Sequence, residues 1–586
     1  MVSARILTTA LAIGLHALAV IGAPNCPLQG PVFPRPVNPS TDPTLQDAFR
    51  NLTATFTQRD QDNSTGADSM TYSVEVFSVA DDKPIWSWYH TAPTLPSNTT
   101  GVKKADGDTV YRLGSLTKVF SIYTWLAEVG DAHFNEPVSK YVPEVAALAA
   151  AADAKKDPVN NVDWNSVTIG SIAAQLTGLV RDYAQVGEIT QEYNQSVAMA
   201  LGFPPLPNAS IPTCGEWPLC NRTQFFEGMK HTIPSYPPSQ TATYSDLSWL
   251  ILGYALETIT GKKFQDMLEN DVLKPLGLEH TFLFAPNETL GAIPSDKSRV
   301  QWYYSLGDTA PAGNMYSSTR DISAFGRAIL RSAQLSPAQT RRWLKPASLT
   351  SELVAGVGYP WGVRRVPLPV YANGKRVVDA YNKAGSISAW RSLLVLLPDY
   401  GVGFAALFAG DKVPANTNFN VADALAAALL PALEKASREQ ADRAFAGVYE
   451  APQEAALNSS VVVSTQADRP GLGIDSWVSN GTDMKAVAVA LQTGYRVSNP
   501  SIRMYPTDLE TVNEDGSKRV AFKAVFEDLD APSRNTMMST DCGTWVSQTG
   551  AVYGETPLDQ FVFNIDKNGK VTSLEPLALR VQLKKH

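Results

Sequence analysis

Apolar positions between Thr44 and Asp60 fall at Leu45, Phe49, Leu52 and Phe56, the spacing of a helix with one buried face. Met70 to Val79 alternates apolar and polar residues, Asp81 and Asp82 supply a turn, and Pro84 to Tyr89 alternates again, which predicts a β-hairpin. A short strand over Thr109 to Leu113 then feeds an apolar helix that begins near Ser115 and runs to about Val129. Further helices are predicted over Ile169 to Thr177, Leu247 to Thr260, Phe264 to Val272 and Thr319 to Ser332. Strands over Arg391 to Leu397 and Gly401 to Phe408 flank the turn Pro398-Asp399-Tyr400-Gly401. Strands at both ends with helices between them predict an α+β fold in which one antiparallel sheet is assembled from both ends of the region.

The texture changes near residue 440. Val421 to Arg443 is an Ala-rich charged helix, and short β-like runs follow at Ser460 to Thr465, Arg519 to Phe526, Gln560 to Ile565 and Leu579 to Leu583. The reading is a principal domain over 24–443 and a smaller all-β domain over 444–586. Residues 1–23 read as a secretory signal peptide: Arg5 gives a basic start, Ile6 to Ile21 is apolar, and Gly22 and Ala23 precede Pro24. The expected location is therefore secreted or extracellular. With the leader gone, no segment is long and apolar enough for stable membrane insertion.

Composition narrows the function. A chain of 586 residues, 44% of them hydrophobic, can bury a large core. Its net charge of −8 and lack of a basic run exclude nucleic acid as a partner. The four cysteines form an even set in an exported chain, which favours disulfides over metal ligation. Cys214 and Cys220 flank a tight Gly-Glu-Trp-Pro-Leu loop; pairing them leaves Cys26 for Cys542, although four cysteines admit three pairings. Asn-x-Ser/Thr sequons at Asn51, Asn63, Asn98, Asn194, Asn208, Asn221, Asn287, Asn458 and Asn480 point to a glycoprotein. The six histidines form no His-Glu-x-x-His zinc site, and no Gly-x-Ser-x-Gly is present. No metal and no cofactor are expected, and nothing in the pattern fixes an oligomeric state.

Three short clusters carry chemistry. In Tyr111-Arg112-Leu113-Gly114-Ser115-Leu116-Thr117-Lys118, a serine in the first helical turn has a lysine three residues on, so both side chains share one face. The free N–H groups of a helix start can also receive an oxyanion. The bland reading is an N-cap serine and a solvated lysine, but the apolar Val119, Phe120 and Ile122 imply that Lys118 is partly buried. The second cluster, Tyr244-Ser245-Asp246, precedes an apolar helix and could aim a phenol into a cleft; by itself it reads first as a core tyrosine before a capping Ser245 or Asp246. The third, Lys383-Ala384-Gly385-Ser386, precedes a strand and could hold positive charge over a site. It reads otherwise as an exposed turn.

In order and wide spacing these clusters resemble the serine β-lactamases and penicillin-binding proteins, most closely the class C β-lactamase and esterase branch, which carries Ser-x-x-Lys, Tyr-x-Asn and Lys-Thr-Gly. Leu176-Thr177-Gly178-Leu179, Lys274-Pro275-Leu276-Gly277-Leu278 and Pro311-Ala312-Gly313-Asn314 resemble segments of the same family. The resemblance implies Ser115 as nucleophile, Lys118 as acceptor of its proton, and Tyr244 sharing acid and base work. It also implies an oxyanion hole from the backbone N–H groups of Ser115 and Ser386, with Lys383 stabilising charge. Two positions depart from the pattern. Asp246 replaces an amide that could donate to a substrate, and Ala384 next to Gly385 removes a hydroxyl expected to bind a carboxylate. The reading is an esterase, amidase or acyltransferase on a small ester, lactone or amide. The alternatives are a true β-lactamase or D-amino-acid peptidase, and a catalytically inactive binding protein of the same fold.

Overall fold

The computed structural model describes residues 26–62, 66–97, 99–371, 376–453, 457–493, 497–532, 536–538 and 542–586. The expected leader over 1–23 and the sequon residues Asn63 and Asn98 lie outside the described residues. The chain forms two compact units: a larger one from Phe49–Arg365 and Asp379–Ala426, and a smaller one from the N-terminal segment through Ala48, Val366–Val378 and Ala427–His586.

The larger unit holds an antiparallel sheet. Its strands are β1 (Thr71–Ser78), β2 (Trp86–His90), β5 (Ser348–Leu349), β6 (Ala355–Val357), β7 (Gly362–Pro367), β8 (Val377–Ile387), β9 (Trp390–Leu397) and β10 (Val402–Ala409). Their order is β2-β1-β10-β9-β8-β7-β6-β5, so the first hairpin forms one end of the sheet and pairs through β1 with the last strand, β10, which is the assembly from both ends that the pattern predicts. Every residue of β1 and β10 is buried, because helices cover the sheet on both faces and the strands lose the alternation of a half-exposed sheet. On one face Phe56, from α1 (Pro43–Gln61), meets Trp86 edge-on at 5.2 Å.

A second, two-stranded piece positions the site: β3 (Val110–Arg112) pairs with β4 (Tyr316–Ser318). It leads into a single tight turn, Gly114–Leu116, and then α2 (Thr117–Val129), which is mostly apolar and buried for most of its length, Lys118 included. Two more helices frame the site. They are α3 (Leu247–Thr260) and α4 (Thr319–Leu330), whose start is capped by the Ser318 hydroxyl accepting from the Asp321 N–H at 3.2 Å.

Some elements differ from expectation. The helix read over Ile169 to Thr177 stops at Ala173, because Gln175 and Gly178 take left-handed backbone (φ 60° and 68°). Phe264 to Val272 is a short α-turn followed by a wider π-turn over Met267–Leu273. The exposed turn that was one reading of Lys383–Ser386 is instead the interior of the eleven-residue strand β8.

The smaller unit is dominated by strands. In chain order these are β11 (Gly447–Glu450), β12 (Ser460–Gln466), β13 (Arg469–Ser479), β14 (Thr482–Asp483), β15 (Pro500–Val512), β16 (Lys518–Asp528), β17 (Val552–Tyr553), β18 (Thr556–Pro557), β19 (Gln560–Ile565), β20 (Val571–Pro576) and β21 (Leu583–Lys585). All but the β17–β18 pair join one nine-stranded sheet around a core that includes Trp477, Phe522, Phe561 and Phe563. The Ala-rich helix read over Val421 to Arg443 runs from Thr417 to Phe445, and a further helix, Met484–Thr493, falls in a region read as strands alone. Leu577–Leu579 forms a tight turn ending in left-handed Arg580, so the last strand begins only at Leu583.

Cys26 is bonded to Cys542 within the smaller unit and Cys214 to Cys220 within the larger, each with Cα atoms 4.9 Å apart. Asn51, Asn194, Asn208, Asn221, Asn287, Asn458 and Asn480 are all exposed. Among the described residues no helix is long and apolar enough to cross a membrane.

Candidate active site

The turn after β3 has one residue that only glycine suits. Gly114 has φ 55°, and a Cβ there would lie 2.7 Å from the backbone nitrogen of Ser386. Ser115 follows and stays accessible, while Lys118 on α2 is wholly buried. The Lys118 Nζ donates to Ser115 Oγ at 3.2 Å, Asp246 Oδ1 at 2.5 Å and the Ala312 carbonyl at 2.7 Å, one acceptor for each ammonium proton. The Ala312 segment is fixed to α2 in turn. Ser121 Oγ donates to the Pro311 carbonyl at 2.7 Å, and the Met315 N–H donates to Thr117 Oγ1 at 3.1 Å.

Tyr244 reaches the serine from a loop that the backbone holds tightly. The Ser245 N–H donates to Gln175 Oε1 at 2.7 Å, Ser245 Oγ to the Val180 carbonyl at 3.0 Å, and the Asp246 N–H to the Arg181 carbonyl at 2.7 Å. Pinned on both sides, the loop sets the Tyr244 hydroxyl 2.7 Å from Ser115 Oγ.

Strand β8 brings the third cluster. Lys383 pairs with Leu394 and Ser386 with Arg391 on β9. The buried Lys383 ammonium lies 5.4 Å from the Tyr244 ring centre and donates to the Ala384 carbonyl at 2.7 Å. Gly385 packs its Cα directly onto the Leu113 carbonyl, a site where any Cβ would collide, and Ser392 Oγ donates to that same carbonyl at 2.6 Å. The two glycines, Gly114 and Gly385, thus let β8 press against the nucleophile turn, with the Ser386 backbone beside it.

The charges interlock. Burial pushes the Tyr244 phenol up, but Lys118 and Lys383 together hold it below its ordinary value. Burial pulls Lys118 down, and the opposing charges of Tyr244 and Asp246 outweigh it and keep the ammonium protonated above its usual range. Lys383 sits below its usual value, through burial and then the neighbouring Lys118 charge, with Tyr244 opposing.

All four side chains expected to act, Ser115, Lys118, Tyr244 and Lys383, meet in one place. Asp246, expected to face substrate, instead spends one oxygen on Lys118. The roles of four neighbours went unread in the sequence. Ala312 and Gln175 act through a backbone carbonyl and a loop contact, which leave no pattern. The pair Arg181-Asp182 had a usable signal, since it follows directly on the apolar turn Gly178-Leu179-Val180. Arg181 lies over the Tyr244 ring at 5.2 Å, and burial followed by the Asp246 charge pushes the Asp182 carboxyl up to about 7. Among the described residues no group of three or more His, Cys, Asp or Glu could hold a metal ion.

The Beta-lactamase family profile matches residues 55–428, so the chain belongs to the β-lactamase family of hydrolases. A second profile, "Beta-lactamase-like-like, C-terminal domain", matches residues 437–586. The chain is 28% identical over 591 residues to the "Beta-lactamase-like protein" of Arthroderma benhamiae, covering 95% of each. It is 25% identical to the "Probable hydrolase M10" of Phoma sp. over 82% of this chain and 78% of that protein. Among solved structures it is similar to "A class C beta-lactamase", at 15% identity and a TM-score of 0.45 over 66% of this chain and 97% of the other.

Proposed function

We propose that the protein is a secreted serine hydrolase that forms an acyl-enzyme at Ser115 on small ester, lactone or amide substrates. The observation that carries this reading is the placement of the Ser115 hydroxyl 2.7 Å from a phenol and 3.2 Å from a buried ammonium. Lys118 has an acceptor for each of its protons and a raised affinity for them, so it is poorly suited to take another. Tyr244, held below its ordinary value by two lysines, is the better base. In this mechanism the Tyr244 phenolate takes the Ser115 proton as Oγ bonds to the carbonyl carbon. Negative charge forms on the carbonyl oxygen and is received by the N–H groups of Ser115 and Ser386, with Lys383 nearby. The intermediate collapses as Tyr244 returns the proton to the departing alcohol or amine. Water, deprotonated by the same phenolate, then releases the acid and restores Ser115; an alcohol or amine acceptor in its place gives acyl transfer.

Ala384 supplies no hydroxyl on β8 for a β-lactam or peptide carboxylate, which favours esters and simple amides over antibiotics. The two disulfides and the exposed sequon asparagines support export.

The test is labelling with a fluorophosphonate followed by peptide mapping. Label is expected on Ser115, none in Ser115→Ala, and labelling slowed about 10²–10⁴-fold in Tyr244→Phe. A wild-type protein left unlabelled would instead support the non-catalytic binding protein.

A further inference from the structure

Arg181 stands at the site with its donors unspent. Its guanidinium carbon lies 5.2 Å from the centre of the Tyr244 ring, on the residue whose hydroxyl touches Ser115. The nearest carboxylate is Asp246, with Oδ2 at 3.7 Å from Arg181 Nε, beyond hydrogen-bond reach, while Lys118 holds the other oxygen at 2.5 Å. The side chain is 62% exposed, and among the described residues no acceptor hydrogen-bonds to it. The neighbouring carboxyl, Asp182, accepts from the Tyr183 N–H at 2.9 Å rather than pairing with Arg181. The backbone behind Arg181 is rigid, because its carbonyl receives the Asp246 N–H at 2.7 Å.

Resting on the acyl-enzyme reading, we propose that Arg181 is the specificity-determining residue of this pocket and binds a carboxylate on the acyl part of the substrate. The physical case has two sides. β8 offers no hydroxyl to such a group at Ala384, and the Lys383 ammonium is turned to the Ala384 carbonyl. Across the Tyr244 ring, a planar fork of five donors is 62% exposed with no hydrogen-bonded acceptor among the described residues, its ion pair to Asp246 running through Nε at 3.7 Å, and such a fork matches a carboxylate in a bidentate pair. A carboxylate held there stands one phenol ring away from the serine oxygen. That span fits a half-ester of a short dicarboxylic acid, with the scissile carbonyl at Ser115 and the free acid at Arg181.

The test compares the aryl half-ester of glutaric acid with the aryl ester of valeric acid, which has the same chain length and leaving group but a methyl in place of the carboxylate. Rates are corrected for uncatalysed hydrolysis. The wild-type kcat/KM is expected to favour the acid-bearing ester by tenfold or more. Arg181→Gln should reduce that ratio at least tenfold, chiefly through KM, and Arg181→Lys should retain part of it. A wild type without the preference, or an Arg181→Gln variant that keeps it, overturns the proposal. Fluorophosphonate labelling separates the layers: wild type labelled at Ser115 but without the preference loses only the carboxylate subsite, whereas unlabelled wild type loses the acyl-enzyme reading and this inference with it. Should Arg181→Gln fail to fold or to label, the ratio in Arg181→Lys decides, and an unchanged ratio there counts against the proposal.

Discussion

Asp182 is half-buried beside the Asp246 carboxylate, and the fold holds its proton up to about pH 7. In the unfolded chain the same group releases its proton near pH ~4. Between these values the folded state binds more protons than the unfolded one, so this residue makes stability fall as pH rises from about 4 to about 7, with the full loss above that range. Asp182→Asn keeps an oxygen to accept the Tyr183 N–H and removes the charge. Thermal melts of the variant minus wild type should show little gain at pH ~4 and a gain on the order of 4 kcal/mol above pH 7; a difference that does not vary with pH refutes this account. At this scale the sequence was legible where chemistry is local. Ser115 and Lys118 sit three apart on one helical face, so their meeting follows from helix geometry alone. Tyr244 and Lys383 became legible only through the family resemblance, because their meeting depends on loop paths. The Asp246–Lys118 pair could not be read, since nothing in Tyr244-Ser245-Asp246 says whether that carboxylate turns to substrate or to a buried amine.

Strand β8 is the element whose misreading matters most. Its run of Asp379, Asn382, Lys383 and Gly385 lacks a clean apolar alternation, because Lys383 and Gly385 answer local demands of the site while Asn382 donates to the Gly362 carbonyl and Asp379 pairs with Arg365. The hairpin of β1 and β2 and the helices α1 and α4 carry clear periodicity, while α2, α3 and the β9–β10 pair are long apolar runs, and all appear close to where these patterns predict. The packing of β8 onto the nucleophile turn gives a sharp test. Gly385→Ala would drive a methyl into the Leu113 carbonyl, and Ser392 Oγ would have to give way with it. The strand must then retreat and carry the Ser386 N–H away from Ser115. The expected result is a fall of about 10²–10³ in kcat for any ester that is turned over, with KM little changed. A variant with wild-type kcat would mean that the Ser386 N–H plays no part in stabilising the oxyanion.

For the molecule as a whole, the bond between Cys26 and Cys542 joins residues 516 positions apart, both belonging to the smaller unit. The sequence suggested this pairing only by elimination, since covalent connectivity over such a distance leaves no local trace. Cys26→Ser should lower stability by about 2–5 kcal/mol, read as an earlier melting transition, and reductant should reproduce the loss in wild type but add none for this bond in the variant. Topologically, the bond makes most of the polypeptide a closed ring. A single proteolytic cut anywhere within that ring, at an exposed stretch such as the one around Leu353, would open the ring without releasing a fragment, and the nicked species would run as one band until its thiols are freed.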